Sequence, residues 1–334
     1  MVEGQGGFHI PGGDLDVLAV GETVVDLISV EETDWLRNAR TFRKYQGGSP
    51  ANIAVYVAKL GGKSAVVSKT GIGAFGQFLK AELRKSGVRT DYLVMDHRVH
   101  TTVIFISRTT GTADFEALRG GDYQLEPREI NAEAINRAKV VHASTFALSR
   151  DPCRSAVEKA FQLAQEHGKI ISLDPNYSPS VWPDRQEAHG VLRRMMGYAT
   201  ITKPSLDDAT RLFGPDRAPE EYVKLFHDMG PRVVVFSMGV KGVLLSEEGT
   251  LSHVPARQVE VVDATGAGDA FWAGFLVALL DGNSLRRCAL FAREIAERKL
   301  TTVGPLPDAI DRQAVYDTIE ALAGQEEART GICS

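Results

Sequence analysis

Val262-Asp-Ala-Thr-Gly-Ala-Gly-Asp-Ala-Phe-Trp-Ala-Gly-Phe-Leu-Val-Ala-Leu-Leu280 is the stretch on which the reading of this chain turns. An apolar segment, Val259 to Val262, runs into Asp263-Ala-Thr-Gly-Ala-Gly-Asp269. That run passes without a break into Ala270 to Leu280, apolar apart from Gly274 and long enough for about three helical turns. The pattern predicts a loop that feeds a buried helix. Gly266 and Gly268 let the backbone turn tightly and bring its N–H groups close to a ligand, and a helix beginning near Asp269 aims its unpaired N–H groups and positive dipole end at the same place. Such a place attracts an anion, above all phosphate.

Asp269 admits two readings. As a helix N-cap, its carboxylate only satisfies first-turn N–H groups. Yet a carboxylate beside a phosphate site is repelled by it. One retained there suits another task, which is to take the proton from a hydroxyl that attacks phosphorus.

Asp263 to Asp269 resembles the DTxGAGD signature of the ribokinase-like (PfkB) carbohydrate kinases, and Gly47-Gly-Ser-Pro-Ala-Asn52, with Gly61-Gly62 after it, resembles their N-terminal signature. The two stand in the right order with further matches between them, so the resemblance covers residues 15 to 310, nearest to fructokinase and 2-keto-3-deoxygluconate kinase-like members. It implies a three-layer α/β/α fold with a mainly parallel central sheet and a small β-sheet lid built from residues around 24–45 and 99–120. It also implies an ATP-dependent kinase that moves the γ-phosphate to a primary hydroxyl of a small carbohydrate. In that reading Asp269 is the base, and the backbone of Gly266, Ala267 and Gly268 stabilises the charge that develops.

The same resemblance assigns Asp26, Gly47, Gly48, Asn52, Arg119 and Asn176, together with Asp269, to the sugar. It assigns Lys203, Ser237, Gly239, Gly242, Thr265, Gly266 and Gly268 to the nucleotide. Asp208, in Ser205-Leu-Asp-Asp208 where relatives have NxxE, is expected to hold a magnesium-bound water. ATP and Mg²⁺ are the implied cofactors, and a K⁺ ion near the anion loop, as some relatives bind, is left open. Without the resemblance, Asp26 reads as an edge-strand residue with its carboxylate in water, Asn52 as a surface amide and Arg119 as part of a charged turn. Ser49-Pro50 reads as an N-cap followed by Pro at the first helical position.

Several positions depart from the family pattern: Gly73, Ser178, Ser205 and Arg293. Asp174-Pro-Asn-Tyr-Ser-Pro-Ser-Val-Trp182 resembles the DPNxRxxLW stretch of fructokinases and 2-keto-3-deoxygluconate kinases, with Ser178 in the place of the Arg, so an acidic substrate loses a bidentate partner. A neutral ketohexose such as fructose is therefore the expected substrate. Phosphorylation of 2-keto-3-deoxygluconate or of a nucleoside is the alternative, and a catalytically weak sugar or nucleotide sensor with the same fold is the alternative of another class.

The 334 residues carry a net charge of -5, with 43% hydrophobic and 24% charged residues, and Lys and Arg are scattered, which argues against nucleic acid or an anionic membrane as the main partner. Cys153, Cys288 and Cys333 are far apart with no CxxC, and read as reduced structural thiols. With no signal-like start and no long apolar span, a cytoplasmic location is expected. Residues 1–14 read as a disordered tail and 15–334 as one domain; exposed lid edges favour a homodimer.

From Lys139 to Ser237 strands and helices alternate regularly, which predicts a mainly parallel sheet covered on both faces, with ligands at the carboxyl ends of its strands. One run imitates another fold. Gly71-Ile-Gly-Ala-Phe-Gly76 is a literal GxGxxG after a strand, but Gly87 to Asp91 is too short and polar to supply the second strand of a dinucleotide-binding βαβ unit.

Overall fold

The computed structural model describes residues 8–109, 113–302, 304, 306 and 309–330, with side chains through residue 322. In chain order its elements are β1 (Leu15–Val20), β2 (Val24–Glu32), β3 (Phe42–Gly47), α1 (Ser49–Lys59), β4 (Ser64–Gly71), α2 (Ala74–Lys85), β5 (Leu93–Asp96), β6 (Val103–Arg108) and β7 (Phe115–Leu118). There follow α3 (Ala132–Arg137), β8 (Ala138–Ser144), α4 (Thr145–Leu148), α5 (Cys153–Glu166), β9 (Ile170–Asp174), α6 (Arg185–Met196), β10 (Ile201–Thr202), α7 (Leu206–Phe213) and α8 (Pro219–His227). The chain ends with β11 (Val233–Ser237), β12 (Val243–Glu247), β13 (Thr250–Val254), α9 (Ala267–Leu280), α10 (Leu285–Leu300) and α11 (Arg312–Thr330).

Nine strands form one sheet in the order β13-β12-β11-β10-β9-β8-β1-β4-β5. All neighbours are parallel except β12, which runs antiparallel to β11 and β13. Successive residues of a strand serve opposite faces, and here both faces are buried. Leu18, Val141, Val234 and Phe236 pack with α3, α5, α6 and α8 on one side, while Val17, Val140, Val233 and Val235 pack with α1, α9 and α10 on the other. Helix α9 is buried without a break from Ala270 to Leu279, so it shows no polar stripe. Its Trp272 donates to Ser172 Oγ at 2.9 Å, which satisfies the indole N–H in the core.

A second sheet, in the order β3-β2-β6-β7, joins the two segments expected to form the lid. β6 and β7 pair antiparallel as anticipated, although the tip of their turn, residues 110–112, lies outside the described residues. This sheet begins with β2, just beyond the carboxyl end of β1, and its Ile104, Ile106 and Phe115 line one cavity with Phe146 and Asn176, which follow β8 and β9. The loop before α9 therefore has the main sheet beneath it and the small sheet above.

Three expectations need correction. The tail expected over residues 1–14 is laid down in its second half: Phe8 and Ile10 pack on the core, and Asp14 pairs with Arg137 at 2.6 Å; residues 1–7 lie outside the described residues. Ser49 is not the cap of α1. Gly48, with φ 95°, occupies that position and Ser49 is the first helical residue, which frees its hydroxyl for other work. A βαβ unit does follow the GxGxxG run, since β4 and β5 pair in parallel around α2. Its glycines nevertheless serve chain packing, because a Cβ on Gly76 would strike the Gly71 carbonyl and one on Gly71 would lie 2.6 Å from Val99 O. Asp96, at the end of β5, is bound to Arg98 at 2.7 Å and Lys69 at 3.3 Å.

Candidate active site

The loop before α9 is built around Asp263, which is fully buried. Its carboxylate accepts the N–H of Thr265 at 2.9 Å and of Gly304 at 3.1 Å, so one side chain pins two backbone segments. Gly266 then caps the helix with φ 75°, a left-handed conformation that suits glycine. The N–H of Ala267 closes a turn onto Ala264 O at 3.2 Å. Among the described residues, the N–H groups of Gly268 and Asp269 have no acceptor, and they sit at the positive end of a helix. The expected donor set is thereby corrected at Ala267, whose N–H is already used.

Asp269 lies in the first turn of α9, and its carboxylate is not a cap. Oδ1 accepts from Ser49 Oγ at 2.7 Å and Oδ2 from Asn52 Nδ2 at 2.9 Å. Gln46 donates in turn to Asn52 Oδ1 at 3.2 Å, which fixes the amide. Helix α1 thus presents two donors, three residues apart on one face, to a carboxylate on α9. Burial pushes the Asp269 pKa up, while the Asn52 and Ser49 hydrogen bonds and the Lys203 and Lys299 ammonium groups oppose it.

That carboxylate opens into a cavity of about 300 Å³. Glu22, Asp26, Gly48, Asn52 and Asn176 line it on the polar side, and Ile104, Ile106, Phe115 and Phe146 on the apolar side. Asp26 is buried on β2 rather than facing water, and Gly47 is forced to be glycine because a Cβ there would overlap the Asp26 carboxylate. Burial raises the Asp26 pKa to about 7, with help from the charge of Asp269. Glu22 is raised to about 8, again chiefly by burial, although Ser144 Oγ donates to it at 3.1 Å and Ser49 N at 3.2 Å. Three carboxylates around one small cavity make a cluster of hydroxyl acceptors.

A second cavity, of about 600 Å³, lies on the other side of the loop. Ser237, Gly239, Gly242, Ala267 and Gly268 line it, with Val243, Val254, Val261 and Phe271 supplying apolar walls and Arg293 at its edge. Thr265 and Gly266, assigned above to the nucleotide, line the first cavity instead. Gly242 has φ 86° and fits against Val254 O and Pro255, so no side chain is tolerated there.

Lys203 lines neither cavity. It is buried beneath the loop, with its ammonium 3.0 Å from Asp174 and 3.6 Å from where a Cβ on Gly268 would lie. Burial pulls its pKa down, but Asp174, Asp208 and Asp269 outweigh this and hold it above the ordinary lysine value.

Arg119, expected as a sugar contact, does not line the cavity: it grips Asp122 at 2.6 Å, donates to Ser149 Oγ at 2.6 Å and stacks on Phe146, which does line it. Asp208, expected to hold a magnesium-bound water, already has protein partners. Its carboxylate accepts from Tyr177 N at 2.6 Å, Ser205 N at 2.9 Å and Ser205 Oγ at 2.6 Å, so it locks the first turn of α7 to the chain beyond β9. The S-x-x-D spacing of Ser205 and Asp208 is that of a capping box, a signal present in the sequence. Glu22 and Ser49 were missed. Ser49 sits in the Gly-Gly-Ser-Pro run and Glu22 in the Gly-Glu turn, but only the fold shows that they face Asp269 and the cavity.

Residues 14–311 match the model of the pfkB family carbohydrate kinases. The chain belongs to this family. It is 34% identical over 315 residues to the ATP-dependent 6-phosphofructokinase of Thermoanaerobacterium thermosaccharolyticum, covering 94% of this chain and 95% of that one. It is 33% identical to fructokinase-1 of Oryza sativa subsp. japonica, covering 91% and 98%. Among solved structures, Halothermothrix orenii fructokinase superposes with a TM-score of 0.75 at 38% identity, covering 87% of this chain and 100% of that one. A double mutant of Vibrio cholerae O395 fructokinase, with fructose, ADP and potassium bound, superposes at 0.81 with 27% identity, covering 92% and 98%. The fold is ribokinase-like, three layers of α/β/α, and the enzyme is an ATP-dependent sugar kinase.

Proposed function

We propose that the enzyme transfers the γ-phosphate of ATP to a primary hydroxyl of a neutral ketohexose such as fructose. One observation carries this reading: a helix N-terminus with unpaired N–H groups separates two cavities, and Asp269 projects from it into the smaller one. ATP lies in the larger cavity with its phosphates against Gly268. The sugar lies in the smaller one, its hydroxyls held by Asp26, Glu22 and Asn176.

Asp269 takes the proton as the sugar oxygen forms its bond to the γ-phosphorus. The bond from phosphorus to the bridging oxygen breaks, ADP keeps the electron pair, and Asp269 later gives the proton to solvent. Ser49 and Asn52 hold the carboxylate in place, and the N–H groups of Gly268 and Asp269 and the ammonium of Lys203 balance the phosphate charge. Bound with the ATP phosphates, Mg²⁺ would neutralise part of their charge. Asp208 already accepts three hydrogen bonds from protein groups, and no step here is routed through the ion.

Substrate charge follows from the lining. No Lys, Arg or His is among the described residues that line the sugar cavity, and Ser178 is there in place of an arginine. A carboxylate or a phosphate already on the sugar therefore meets no cation there, which disfavours 2-keto-3-deoxygluconate and fructose 6-phosphate. A volume of about 300 Å³ is also tight for a nucleoside. ADP release measured with ATP and Mg²⁺ across fructose, fructose 6-phosphate, ribose, 2-keto-3-deoxygluconate, inositol and adenosine tests this. Fructose is expected to give the highest kcat/KM. A preference for either anionic sugar contradicts the charge argument, and binding without turnover of any sugar favours the sensor.

The small sheet leaves β3 and β7 as its edges, which supports a homodimer formed through the lids. Light scattering in solution tests it. No helix among the described residues is long and apolar enough to cross a membrane.

A further inference from the structure

Lys299, in the last turn of α10, is among the largest fully buried side chains of the protein. It has no part in the transfer described above, yet it runs directly beneath the anion loop. Its ammonium lies 3.0 Å from Thr302 O, 3.4 Å from Asp263 O and 3.4 Å from Asp263 Oδ2. Its Cε lies 4.0 Å from the position a Cβ on Gly266 would take. Three N–H donors thus meet three oxygens, two of them backbone carbonyls. The third belongs to the carboxylate that pins Thr265 and Gly304.

Burying an ammonium is expensive, and a pair of this kind can often be replaced by apolar side chains with no loss of stability. Core packing therefore does not account for a lysine at this place. The surroundings suggest what does. Main-chain carbonyls and one carboxylate around a single positive charge form the oxygen cage that a monovalent metal ion takes, and they lie under the turn that receives the phosphates. One protein that this chain resembles, the Vibrio cholerae O395 fructokinase, was solved with potassium bound. Here the ammonium already fills the cage, so K⁺ does not fit.

We infer that Lys299 is a built-in monovalent cation: its ammonium holds the Asp263–Gly268 turn in its phosphate-binding shape and supplies fixed positive charge beneath it, so that the enzyme works without K⁺. Lys299 is a positioning residue in this account, which rests on the phosphoryl-transfer reading of the same loop.

The test compares KCl with tetramethylammonium chloride at equal ionic strength, in buffers free of K⁺ and NH₄⁺, by ADP release and by thermal melting. The native enzyme is expected to have the same kcat in both salts to within about twofold, and the same melting temperature. Lys299→Ala empties the cage. Its kcat is expected to fall roughly 10²-fold in tetramethylammonium, the scale of a misplaced reacting group, with the KM for sugar little changed. KCl or NH₄Cl is expected to restore at least about tenfold of that loss and to raise the melting temperature of the variant, whereas tetramethylammonium does neither. A merely structural lysine would not produce ion-specific rescue. Lys299→Met, which fills the space without charge, is expected to lose activity and not to be rescued.

Activation of the native enzyme several-fold by KCl, or a K⁺-dependent rise in its melting temperature, overturns the proposal even if both variants fail to fold. So does a Lys299→Ala enzyme that is fully active without K⁺. Should no sugar be turned over, the kinase reading fails by itself, and the melting experiments still decide where the cation sits.

Discussion

Replacing Asp26 by Asn is expected to make the protein more stable at neutral pH while damaging its affinity for sugar. Asp26 is 8% exposed, faces the sugar cavity, and receives no hydrogen bond from a described residue. Its pKa rises from 3.8 to about 7 on folding, first through burial and then through the charge of Asp269. A raised acid binds its proton more tightly in the folded state. Below about pH 4 both states are protonated and the group contributes nothing. Between pH 4 and 7 the unfolded chain gives up the proton first, so stability falls as pH rises, and above pH 7 the full cost remains. A rise of this size corresponds to roughly 4 kcal/mol at one site, an upper figure because Asp269 and Glu22 titrate in the same cluster.

Asn carries no charge, so Asp26→Asn removes that cost at pH 8 and changes little at pH 4. Thermal or urea unfolding of both proteins from pH 4 to 9 reads the difference directly, and a gain of several degrees at pH 8 that disappears at pH 4 is the expected pattern. In turnover, loss of a charged acceptor for a sugar hydroxyl is expected to raise the KM for sugar roughly tenfold to a hundredfold, with the KM for ATP unchanged. A stability difference that does not depend on pH, or a variant less stable than the native protein at pH 8, would refute the reasoning. A functional site that is costly to keep folded is the ordinary trade between stability and activity.

Three further outcomes follow from the same geometry. Ser49→Ala removes one of the two donors that hold the Asp269 carboxylate ionised, so the acid limb of the kcat profile should move up by about 1 to 2 pH units, with the alkaline plateau nearly kept. Lys203→Met leaves Asp174, already raised to about 6 by burial even with the lysine beside it, without its partner; denaturant melts should show a loss of roughly 3–5 kcal/mol at pH 8 that shrinks as the pH falls toward 6, because the unpaired acid takes up its proton at a higher pH than the paired one. Gly266→Ala meets nothing closer than 3.7 Å, but it forces a side chain into the left-handed region, which costs about 1–2 kcal/mol. It should fold, with a slightly lower melting temperature, and lose roughly 10²-fold in kcat as the turn shifts its N–H groups.

The anion loop and the buried helix after it were legible because local chemistry dictates them. Glycines at Gly266 and Gly268 and an apolar run with no polar stripe have few other readings. The parallel sheet was legible from alternation, because β1, β8, β9 and β11 each carry enough apolar residues to bury both faces. Side-chain partners across the fold were not. Ser49 and Asp269 are 220 residues apart, and nothing local to the Gly-Gly-Ser-Pro run says that Gly48 will cap the helix and release the serine. The partners of Arg119 were hidden for the same reason: by itself the Arg-Gly-Gly-Asp turn reads as a charged loop, whereas in the fold Asp122 turns back on the arginine and Phe146 covers it. Asp208 was legible and overlooked. The short spacing to Ser205 spelled a capping box, while attention to a metal role hid it.

The most direct test of the central claim is kcat of Asp269→Asn, measured beside the affinity of the same variant for ATP. The amide keeps both contacts, because its oxygen can accept from Asn52 and its NH₂ can donate to the Ser49 hydroxyl, so the loop and both cavities should persist. The account predicts ATP binding within about threefold of the native enzyme and a kcat lower by 10² to 10⁴, the usual contribution of a general base. A variant that binds ATP normally and retains more than about a tenth of native kcat would contradict it, and the base would have to be sought elsewhere in the cavity.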